Sequence, residues 1–365
     1  MIHPSTFTLL VLNWTGKWFC KASGAFLATI FPSKESTSID DTAVVVNTKM
    51  QWWILVKRYF VFFTTCLIGY LKYQYSRRFT KRKPRDDLTP IEDITRIHPK
   101  VVQILGQNPG PFTLQGTNTY LVGSNQKMFL IDAGEPDNPR YIDKLREALG
   151  AGTIEGIICT HWHHDHLGGC QSVREHFRTS KGDPPPVYKG KHSSTARKDY
   201  CECIADGHVF RQNGVTLSVI DTKGHTSDHI SVLYEEEGIL FSGDCILGEG
   251  STIFEDLGDY MNSLRKLLSL DCKIICPGHG PIITDPKAKI EEYIERREKR
   301  DVQILNYLSE VERANALEVT RALFKGLPRN VHVAAFRSIQ IHLQKLEHEG
   351  KIRRTGFVDF ILTSS

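Results

Sequence analysis

Four histidines and an aspartate lie within the six positions from His161 to His166, a combination that could hold metal ions. In an extended segment, side chains two positions apart point the same way, so His161 and His163 can converge on one ion. Asp165 and His166 follow where the chain turns, within reach of a second ion about 3.5–4 Å from the first. Imidazole and carboxylate ligands suit two Zn²⁺, with Mn²⁺ or Fe²⁺ as alternatives. This motif is too short to supply every ligand of two ions, so other segments must complete the site.

The remaining ligands are predicted where later strands end beside a glycine. Three apolar stretches that read as strands are each followed by such a residue: His225, Asp244 and His279. The ligands predicted for the first ion are His161, His163 and His225. Those predicted for the second ion are Asp165, His166 and His279, with Asp244 as a bridge. Two ions held in this way would lower the pKa of a shared water and give a metal-bridged hydroxide, which we expect Asp165 to orient as the catalytic residue.

Other polar residues near this motif are predicted to support it or to contact the substrate. Asp132 ends an apolar strand, and we expect it to hold the histidine loop through hydrogen bonds rather than to bind metal. His229 begins a strand and is predicted to be structural rather than catalytic. The segment that should reach the same rim contributes three predicted substrate contacts: Thr117, Asn118 and Tyr120.

The elements that must position these residues are mostly short strands, and many of them end in Asp or His followed by Gly. Strands are predicted over residues 101–105, 117–122, 127–132, 156–159, 215–221, 229–234, 238–242 and 273–276, and helices over 139–149 and 259–270. This order places the polar ligands along one rim of a β-sandwich whose outer faces are covered by helices.

The C-terminal residues have a different pattern. Helices are predicted over residues 286–310, 316–325 and 331–349, with Asn330 as the N-cap of the third, and a β-hairpin follows. Helices followed by a basic hairpin indicate a winged-helix-like module. The module could pack over the sandwich as a lid, or three of its basic residues could hold a phosphate backbone: Lys351, Arg353 and Arg354.

The N-terminal residues carry most of the positive charge. Residues 1–85 contain 13 Lys or Arg and three Asp or Glu, within a chain of formal net charge +4, so the central part of the chain is acidic. Residues 1–34 have no acidic residue, as in a mitochondrial presequence. The uninterrupted apolar stretch within residues 52–71 is shorter than a membrane span, which leaves a weak anchor, a transit peptide and a disordered extension as alternatives. The predicted domains are an extension over 1–95, a catalytic domain over 96–285 and a winged-helix-like domain over 286–365.

Charge and cysteine content exclude two classes of protein. An acidic catalytic part is unlike the broad basic surface of a duplex-DNA binder, so no duplex DNA partner is expected. The nine cysteines are an odd number without a C-x-x-C pair, which argues against a disulfide framework and favours a reducing compartment. We expect the mitochondrial matrix, with the cytoplasm as the alternative.

Five short segments together resemble the signature of the metallo-β-lactamase superfamily: Asp132-Ala-Gly, the His161 to His166 motif, Gly-His225-Thr, Gly-Asp244 and Pro-Gly-His279-Gly. The resemblance implies an αββα sandwich. Residues 108–123, 241–250, 254–264 and 342–352 are similar to the beta-lactamase-like protein 2 group within it. That group implies a mitochondrial endoribonuclease that acts on single-stranded RNA with two zinc ions. The chain departs from the group's pattern at Ala133 and Lys223, neither of which is a predicted ligand.

Other activities are compatible with the same ligands. The main alternative is a thioester or small-ester hydrolase of the glyoxalase II kind, since fold and metal ligands do not fix the substrate. A non-catalytic RNA-binding protein is disfavoured by the complete ligand set. A diiron oxidoreductase is disfavoured because His163 stands where that branch typically has a carboxylate.

Overall fold

A computed structural model describes residues 87–124, 126–191, 200–326, 332–356 and 358–363. The expectations for residues 1–86, including the apolar stretch within 52–71 and the basic run after it, lie outside these ranges, as does the predicted N-cap at Asn330. Within the described ranges, no helix has the length and apolar character needed to cross a bilayer.

The first sheet contains seven strands in chain order: β1 (Ile94–His98), β2 (Val101–Leu105), β3 (Asn118–Ser124), β4 (Lys127–Ile131), β5 (Thr153–Cys159), β6 (Val187–Gly190) and β7 (Cys201–Ile204). Neighbours from β1 to β4 are antiparallel, and neighbours from β4 to β7 are parallel. The parallel strands β4 and β5 therefore end at the same edge of the sheet, and Asp132 and Thr160 follow them directly.

The second sheet contains five strands: β8 (Val209–Gln212), β9 (Val215–Asp221), β10 (Ile230–Tyr234), β11 (Ile239–Gly243) and β12 (Ile274–Pro277). Their order across the sheet is β12-β11-β10-β9-β8, and only the pair β11 and β12 is parallel. These two strands end side by side, just before Asp244 and His279.

Alternation of apolar side chains along the strands builds two cores from the first sheet. In β3, Tyr120 and Val122 pack between the two sheets, whereas Leu121 packs against the outer helices. Those helices are α1 (Pro139–Leu149), α2 (His164–Leu167) and α3 (Cys170–His176). The outer face of the second sheet is covered by α4 (Leu257–Leu268) and by the first turns of α5 (Pro286–Val311). The layers follow the order α, β, β, α, which confirms the predicted sandwich.

The C-terminal module shares α5 with the sandwich. Ile290 and Tyr293 of α5 pack in the outer core of the second sheet, whereas Ile304 and Leu308 pack in the core of the module. The module adds α6 (Ala316–Leu323), α7 (His332–His348) and a sheet of order β13-β15-β14: β13 (Ala314–Asn315), β14 (Ile352–Thr355) and β15 (Asp359–Leu362). Asn315 and Glu318 form a capping box at the start of α6. Three helices followed by a hairpin confirm the winged-helix architecture.

Several elements were not predicted from the sequence: β1, β6, β7, β8, β13 and α2. All have five residues or fewer, so each is too short to establish a clear periodicity. Predicted ends shift by one to three residues in most other elements. Asp165 and His166, predicted to lie where the chain turns, belong to α2, which begins at His164, and α3 then begins at Cys170 directly after the two glycines.

A candidate dinuclear metal centre

Seven side chains from separate strand ends form two adjoining groups whose ligand atoms converge. In the first group, His161 Nε2 lies 2.8 Å from His163 Nδ1, and His225 Nε2 lies 3.1 Å from the same atom. In the second, His166 Nε2 lies 3.4 Å from His279 Nε2, and Asp165 Oδ2 lies 3.3 Å from each of these nitrogens. The structure thus brings together every residue that the sequence predicted as a ligand, and in the predicted grouping. Their binding of metal stays a prediction.

Asp244 lies between the two groups and presents one oxygen to each. Its Oδ2 lies 3.6 Å from His225 Nε2 in the first group. Its Oδ1 lies 3.4 Å from His166 Nε2 and 3.4 Å from His279 Nε2 in the second. A carboxylate in this position can bridge two ions.

Hydrogen bonds on the far side of the rings fix which nitrogen faces the centre of each group. His225 Nδ1 donates to the carbonyl of Ile253 at 2.5 Å, and His279 Nδ1 donates to the carbonyl of Gly116 at 3.2 Å. His166 Nδ1 lies 2.8 Å from Asp132 Oδ2, to which it donates. Each of these bonds leaves Nε2 directed inward, as outer partners do around metal-binding histidines.

Asp132 joins the two neighbouring strand ends, as the sequence predicted for a residue that holds the histidine loop. Besides His166, it accepts the backbone N–H of Thr160 at 2.8 Å and the Thr160 hydroxyl at 2.9 Å. The Thr160 oxygen in turn lies 2.9 Å from His161 Nδ1, whose proton it accepts. One buried carboxylate therefore orients a histidine in each group.

The electrostatics of the two groups differ. Burial lowers the pKa of His161 well below its usual value, and burial together with the neighbouring His225 lowers the pKa of His163 to about 3. In the second group burial acts in the same direction, but Asp244 and Asp165 outweigh it and raise the pKa of His279 to about 10. His161 and His163 are therefore neutral, whereas His166 and His279 are protonated beside the carboxylates in the metal-free protein.

The arrangement fits a pair of divalent metal ions. Asp244 Oδ1 is buried and makes no hydrogen bond within the described residues, and its counter-charges without metal are the rings of His166 and His279, each 3.4 Å away. A divalent ion in the second group would replace these protons as the counter-charge.

His161 Nε2 and His225 Nε2 both direct a lone pair at His163 Nδ1, which carries one proton at most. It cannot donate a linear hydrogen bond to both, so at least one contact at about 3 Å stays repulsive. Nitrogens bound to one tetrahedral Zn²⁺ at 2.0–2.1 Å lie about 3.3 Å apart, so an ion would convert this repulsion into ligation. Imidazole with carboxylate is also the donor set that such ions prefer.

Two glycines make room for the ligands at the ends of β11 and β12. Gly243 has a φ of 49°, and a Cβ there would lie 2.8 Å from both His229 Nε2 and the Thr160 side chain. A Cβ at Gly278 would meet the Asp244 carboxylate and the His166 ring. The Gly-Asp and Gly-His pairs of the sequence therefore reflect close packing of backbone against the site.

The three predicted substrate contacts were wrong. Thr117, Asn118 and Tyr120 lie beside the site, but all three are buried and their polar groups are used within the protein. The Thr117 hydroxyl donates to Asp165 Oδ2 at 2.9 Å. Asn118 donates to the carbonyls of Pro277 and Gly280, and Tyr120 donates to that of Pro277 at 2.7 Å. These residues brace the ligand segments and are not available to a substrate.

Neighbouring residues occupy supporting or exposed positions. His229 is buried, accepts the backbone N–H of Asp244 at 3.1 Å and contacts the Thr222 hydroxyl at 2.8 Å, in keeping with a structural role. His164 is exposed, and the Trp162 ring packs edge-on against the His163 ring.

Sequence reasoning missed two residues that hold the first group. The Thr252 hydroxyl donates to the Asp244 carbonyl at 2.6 Å and lies 3.1 Å from His225 Nδ1. Ile253 contributes its backbone carbonyl to His225, and its side chain is 45% exposed. A carbonyl partner has no residue-type signal, so no pattern in the sequence could have identified it.

The basic residues of β14 lie on the surface of the C-terminal module. Lys351 pairs with Glu349 at 2.8 Å, and Arg354 pairs with Glu347 at 3.1 Å. Arg353 is exposed and forms no ion pair with the described part of the chain. Of the three predicted phosphate contacts, Arg353 has the least competition from neighbouring carboxylates.

Known families match both parts of the chain. Residues 112–279 match the metallo-beta-lactamase superfamily, and residues 316–357 match the beta-lactamase associated winged helix domain. Among solved structures, the chain is similar to a metallo-beta-lactamase family protein from Thermus thermophilus, with a TM-score of 0.57 at 22% identity over 73% of this chain and 100% of that one. A beta-lactamase domain protein from Burkholderia ambifaria gives a TM-score of 0.64 at 18% identity over 76% and 96%. At these identities the likeness concerns the fold.

Closer relatives are found among curated proteins. The chain is 43% identical to a beta-lactamase-like protein 2 homolog of Caenorhabditis elegans over 75% of this chain and 92% of the relative. The corresponding homolog of Drosophila melanogaster is 42% identical over 74% and 95%. The chain is also 38% identical to an atrochrysone carboxyl ACP thioesterase of Aspergillus chevalieri, over 73% and 86%.

Proposed function

The chain belongs to the metallo-β-lactamase superfamily and to its beta-lactamase-like protein 2 group, and from this premise we propose that it is a zinc-dependent endoribonuclease that hydrolyses phosphodiester bonds of single-stranded RNA. The hydrolase fold and the clustered metal ligands are common to many activities. The RNA substrate and the identity of the metal are the parts that the proposal adds.

The observation that carries the proposal is the combination of a dinuclear-type ligand cluster with a winged-helix module that exposes Arg353. Two metals suit phosphodiester hydrolysis because they can activate water and neutralise charge on a phosphoryl oxygen. The Arg353 guanidinium is exposed and pairs with no carboxylate of the described residues, so it can bind a phosphate of the RNA away from the scissile bond. A polyanion is a ligand that can engage both features, whereas a small ester can engage only the first.

Several of the chain's own residues have roles in this reaction. Asp244 lies between the two ligand groups and fixes the separation between them. Asp165 is held by the Thr117 hydroxyl and can orient the attacking water. His166 and Asp132 keep the histidine loop in place through their 2.8 Å contact.

A second candidate function is the hydrolysis of an acyl thioester. The observation in its favour is the 38% identity over 275 residues to a protein named as an acyl-carrier-protein thioesterase. The same ligand set could serve this reaction, because metal ions can neutralise the charge that develops on a carbonyl oxygen as well as on a phosphoryl oxygen. The two candidates differ in what must be bound outside the metal centre.

The test is a substrate panel with the purified, zinc-loaded protein. The panel contains single-stranded RNA, duplex RNA, single-stranded DNA of the same sequence, a glutathione thioester and an acyl pantetheine thioester. We expect internal cleavage of single-stranded RNA that stops when the metals are removed with a chelator and returns with added Zn²⁺. Turnover of a thioester without cleavage of RNA would replace the first proposal by the second.

A further inference from the structure

Residues 251–254 form an extended segment, here called the strap, that lies against two candidate ligands. Along the strap, Ser251 and Ile253 are exposed, whereas Thr252 and Phe254 are buried. The inward Thr252 hydroxyl donates to the Asp244 carbonyl at 2.6 Å, and the Ile253 carbonyl accepts from His225 Nδ1 at 2.5 Å. The position of the strap therefore sets the orientation of one imidazole and of the backbone that carries the bridging carboxylate.

The other side of the strap is held by α5, the helix that leads into the C-terminal module. Arg297 of α5 is only 4% exposed, and its Nη2 donates to Ser251 Oγ at 3.1 Å. Its Nη1 donates to the carbonyl of Tyr293 at 3.0 Å. The guanidinium lies over three aromatic rings, with centroid distances of 4.5 Å to Tyr293, 5.3 Å to Tyr260 and 5.9 Å to Phe254 of the strap.

Further contacts from the C-terminal helices fix the same region. The Tyr293 hydroxyl accepts the backbone N–H of Leu247 at 3.2 Å and lies 3.4 Å from the carbonyl of Gly250. The ring of His342, in α7, packs edge-on against the Phe254 ring at 6.1 Å. The chain from Asp244 to the strap is thus attached to the helices of the module at several points.

Arg297 is a buried cation whose nearby groups do not neutralise it. No carboxylate forms an ion pair with it in the described ranges, so aromatic faces and neutral oxygens stabilise its charge. A buried charge is expensive, and an apolar side chain of similar volume often packs as well or better. What the guanidinium adds over an apolar side chain is a fixed geometry. It donates one hydrogen bond to Ser251 of the strap and packs over the Phe254 ring.

We propose that Arg297 is a positioning residue for the metal centre, through which the C-terminal helices orient His225 and Asp244. The proposal rests on the proposed function only in requiring that the cluster bind metal. It assigns the module a role in assembling the site, besides any contact with substrate.

The test measures metal binding directly in the full-length protein, with Co²⁺ as the probe because its visible absorption reports ligand geometry. The variants are Arg297→Met, Arg297→Lys and the matched control Arg296→Met, which removes an exposed arginine from the adjacent position of the same helix. Affinity is obtained by competition with a chelator, and folding is checked by far-UV circular dichroism.

We expect Arg297→Met to weaken Co²⁺ binding at the first group about 10-fold or more, the usual effect of losing an outer partner of a ligand, and to change the absorption spectrum. Arg297→Lys should recover part of the loss, and Arg296→Met should stay within about twofold of wild type. A folded Arg297→Met protein with wild-type affinity and spectrum overturns the proposal.

Ser251→Ala is a milder variant that tests the positioning role of Arg297 if Arg297→Met does not fold. It removes the acceptor of Arg297 but keeps the buried cation, and it should weaken Co²⁺ binding by about threefold, less than the full loss of an outer partner. In the Arg297→Met background it should have no further effect, since the interaction is already absent. Unchanged affinity in Ser251→Ala contradicts the proposal. None of these readouts depends on the substrate, so they remain informative if RNA is not cleaved.

Discussion

Asp165 and Asp244 are the two carboxylates of the cluster, and their positions predict different roles. Asp244 presents an oxygen to each ligand group, whereas Asp165 presents Oδ2 to the second group alone. The side chain of Asp165 is also more exposed, at 19% against 11% for Asp244, which leaves it access to an attacking water.

Replacement Asp165→Asn should therefore reduce turnover far more than stability. Loss of an oriented base typically lowers the rate by about 100-fold or more, and the isosteric amide can still accept from Thr117. The measurement is kcat on the substrate that the panel identifies, with metal content and thermal unfolding determined on the same sample. Thr117→Val is the control, since it keeps the Asp165 carboxylate and removes the hydroxyl that donates to Asp165 and accepts from Asn108, so kcat should fall less. Wild-type turnover in a folded, metal-loaded Asp165→Asn protein would contradict the assigned role.

The two groups should differ in how metal binding depends on pH. Asp244 and Asp165 overcome the effect of burial and raise the pKa of His279 to about 10, so between pH 8 and pH 6 a metal ion must displace its proton. Burial and His225 lower the pKa of His163 to about 3, so no proton competes there. Affinity falls about tenfold per pH unit for each proton released. Acidification should therefore remove the ion of the second group first.

This pH dependence is measured as bound metal per chain, at fixed low free metal, in a series of buffers from pH 8 to pH 6. We expect the ratio to fall from two to one before the second ion is lost. Parallel loss of both ions would show that the difference in pKa between the groups does not control occupancy.

At the residue scale, the sequence predicted which candidate ligands converge and the supporting role of Asp132, but not the roles of most residues around them. His225, Asp244 and His279 were recognisable because each combines a ligand side chain with a strand end and a glycine. Asn118 and Tyr120 were misassigned because a position near a rim does not reveal whether a polar group is already satisfied by the fold. Arg297 was missed because it lies on a distant, charged helix whose burial depends on tertiary packing.

At the scale of elements, a buried cluster of charges joins α5 to α7. Asp301 of α5 accepts from His342 Nδ1 at 2.6 Å and from Lys345 Nζ at 2.7 Å. Although burial acts to raise the pKa of Asp301, these two hydrogen bonds outweigh it and lower the pKa. The cluster lies next to the contact between His342 and Phe254, so the packing of α7 on α5 bears on the strap.

Replacement Asp301→Ala should destabilise the protein by about 1–3 kcal/mol, because it leaves the buried His342 Nδ1 without its acceptor and leaves Lys345 with Glu349 as its partner. Glu298→Ala on the same helix is the matched control. Glu298 and Arg265 are both more than half exposed, and such a pair contributes about 0–1 kcal/mol. The measurement is urea unfolding followed by circular dichroism at neutral pH. Equal effects of the two replacements would show that the Asp301 cluster does not hold the helices together.

The elements themselves were predictable in proportion to their length and regularity. The helix over residues 139–149 and the strands over 101–105 and 215–221 have the predicted ends, because each shows a full period of apolar residues between clear breakers. The strands β6 and β7 escaped prediction because four residues such as Cys-Glu-Cys-Ile establish no alternation. With β1 and β8, which were also not predicted, the missing strands are both edges of the first sheet and one edge of the second.

At the scale of the whole molecule, α5 connects the sandwich, where metal binding is predicted, to the winged-helix module, where substrate contact is predicted. Its first turns pack on the sandwich and brace the strap, and its last turns pack in the core of the winged-helix module. A residue in the middle of the helix, such as Arg297, can therefore influence the metal centre. The module's outer strand, β14, remains free to contact substrate on the surface.

Arg353→Gln should separate substrate binding by the module from chemistry at the metals. If Arg353 contacts a phosphate, its loss removes one released counterion, and the slope of log affinity against log salt for single-stranded RNA should decrease by about 0.7. Binding is measured in an Asp165→Asn background so that the RNA stays intact. Lys299→Gln is the control, because it removes one positive charge from an exposed position of α5 that pairs with Glu295.

The salt slope measured for Arg353→Gln tests whether Arg353 contacts a phosphate, and it also distinguishes the two candidate functions. An RNA enzyme should show the smaller salt slope in Arg353→Gln alone, with metal content unchanged, because β14 carries none of the candidate ligands. A thioesterase has no polyanion to bind there, so its turnover should be the same in Arg353→Gln, Lys299→Gln and the wild type. Equal salt slopes for all proteins, together with unchanged cleavage of RNA, would limit RNA recognition to the sandwich and leave the module with the positioning role of Arg297.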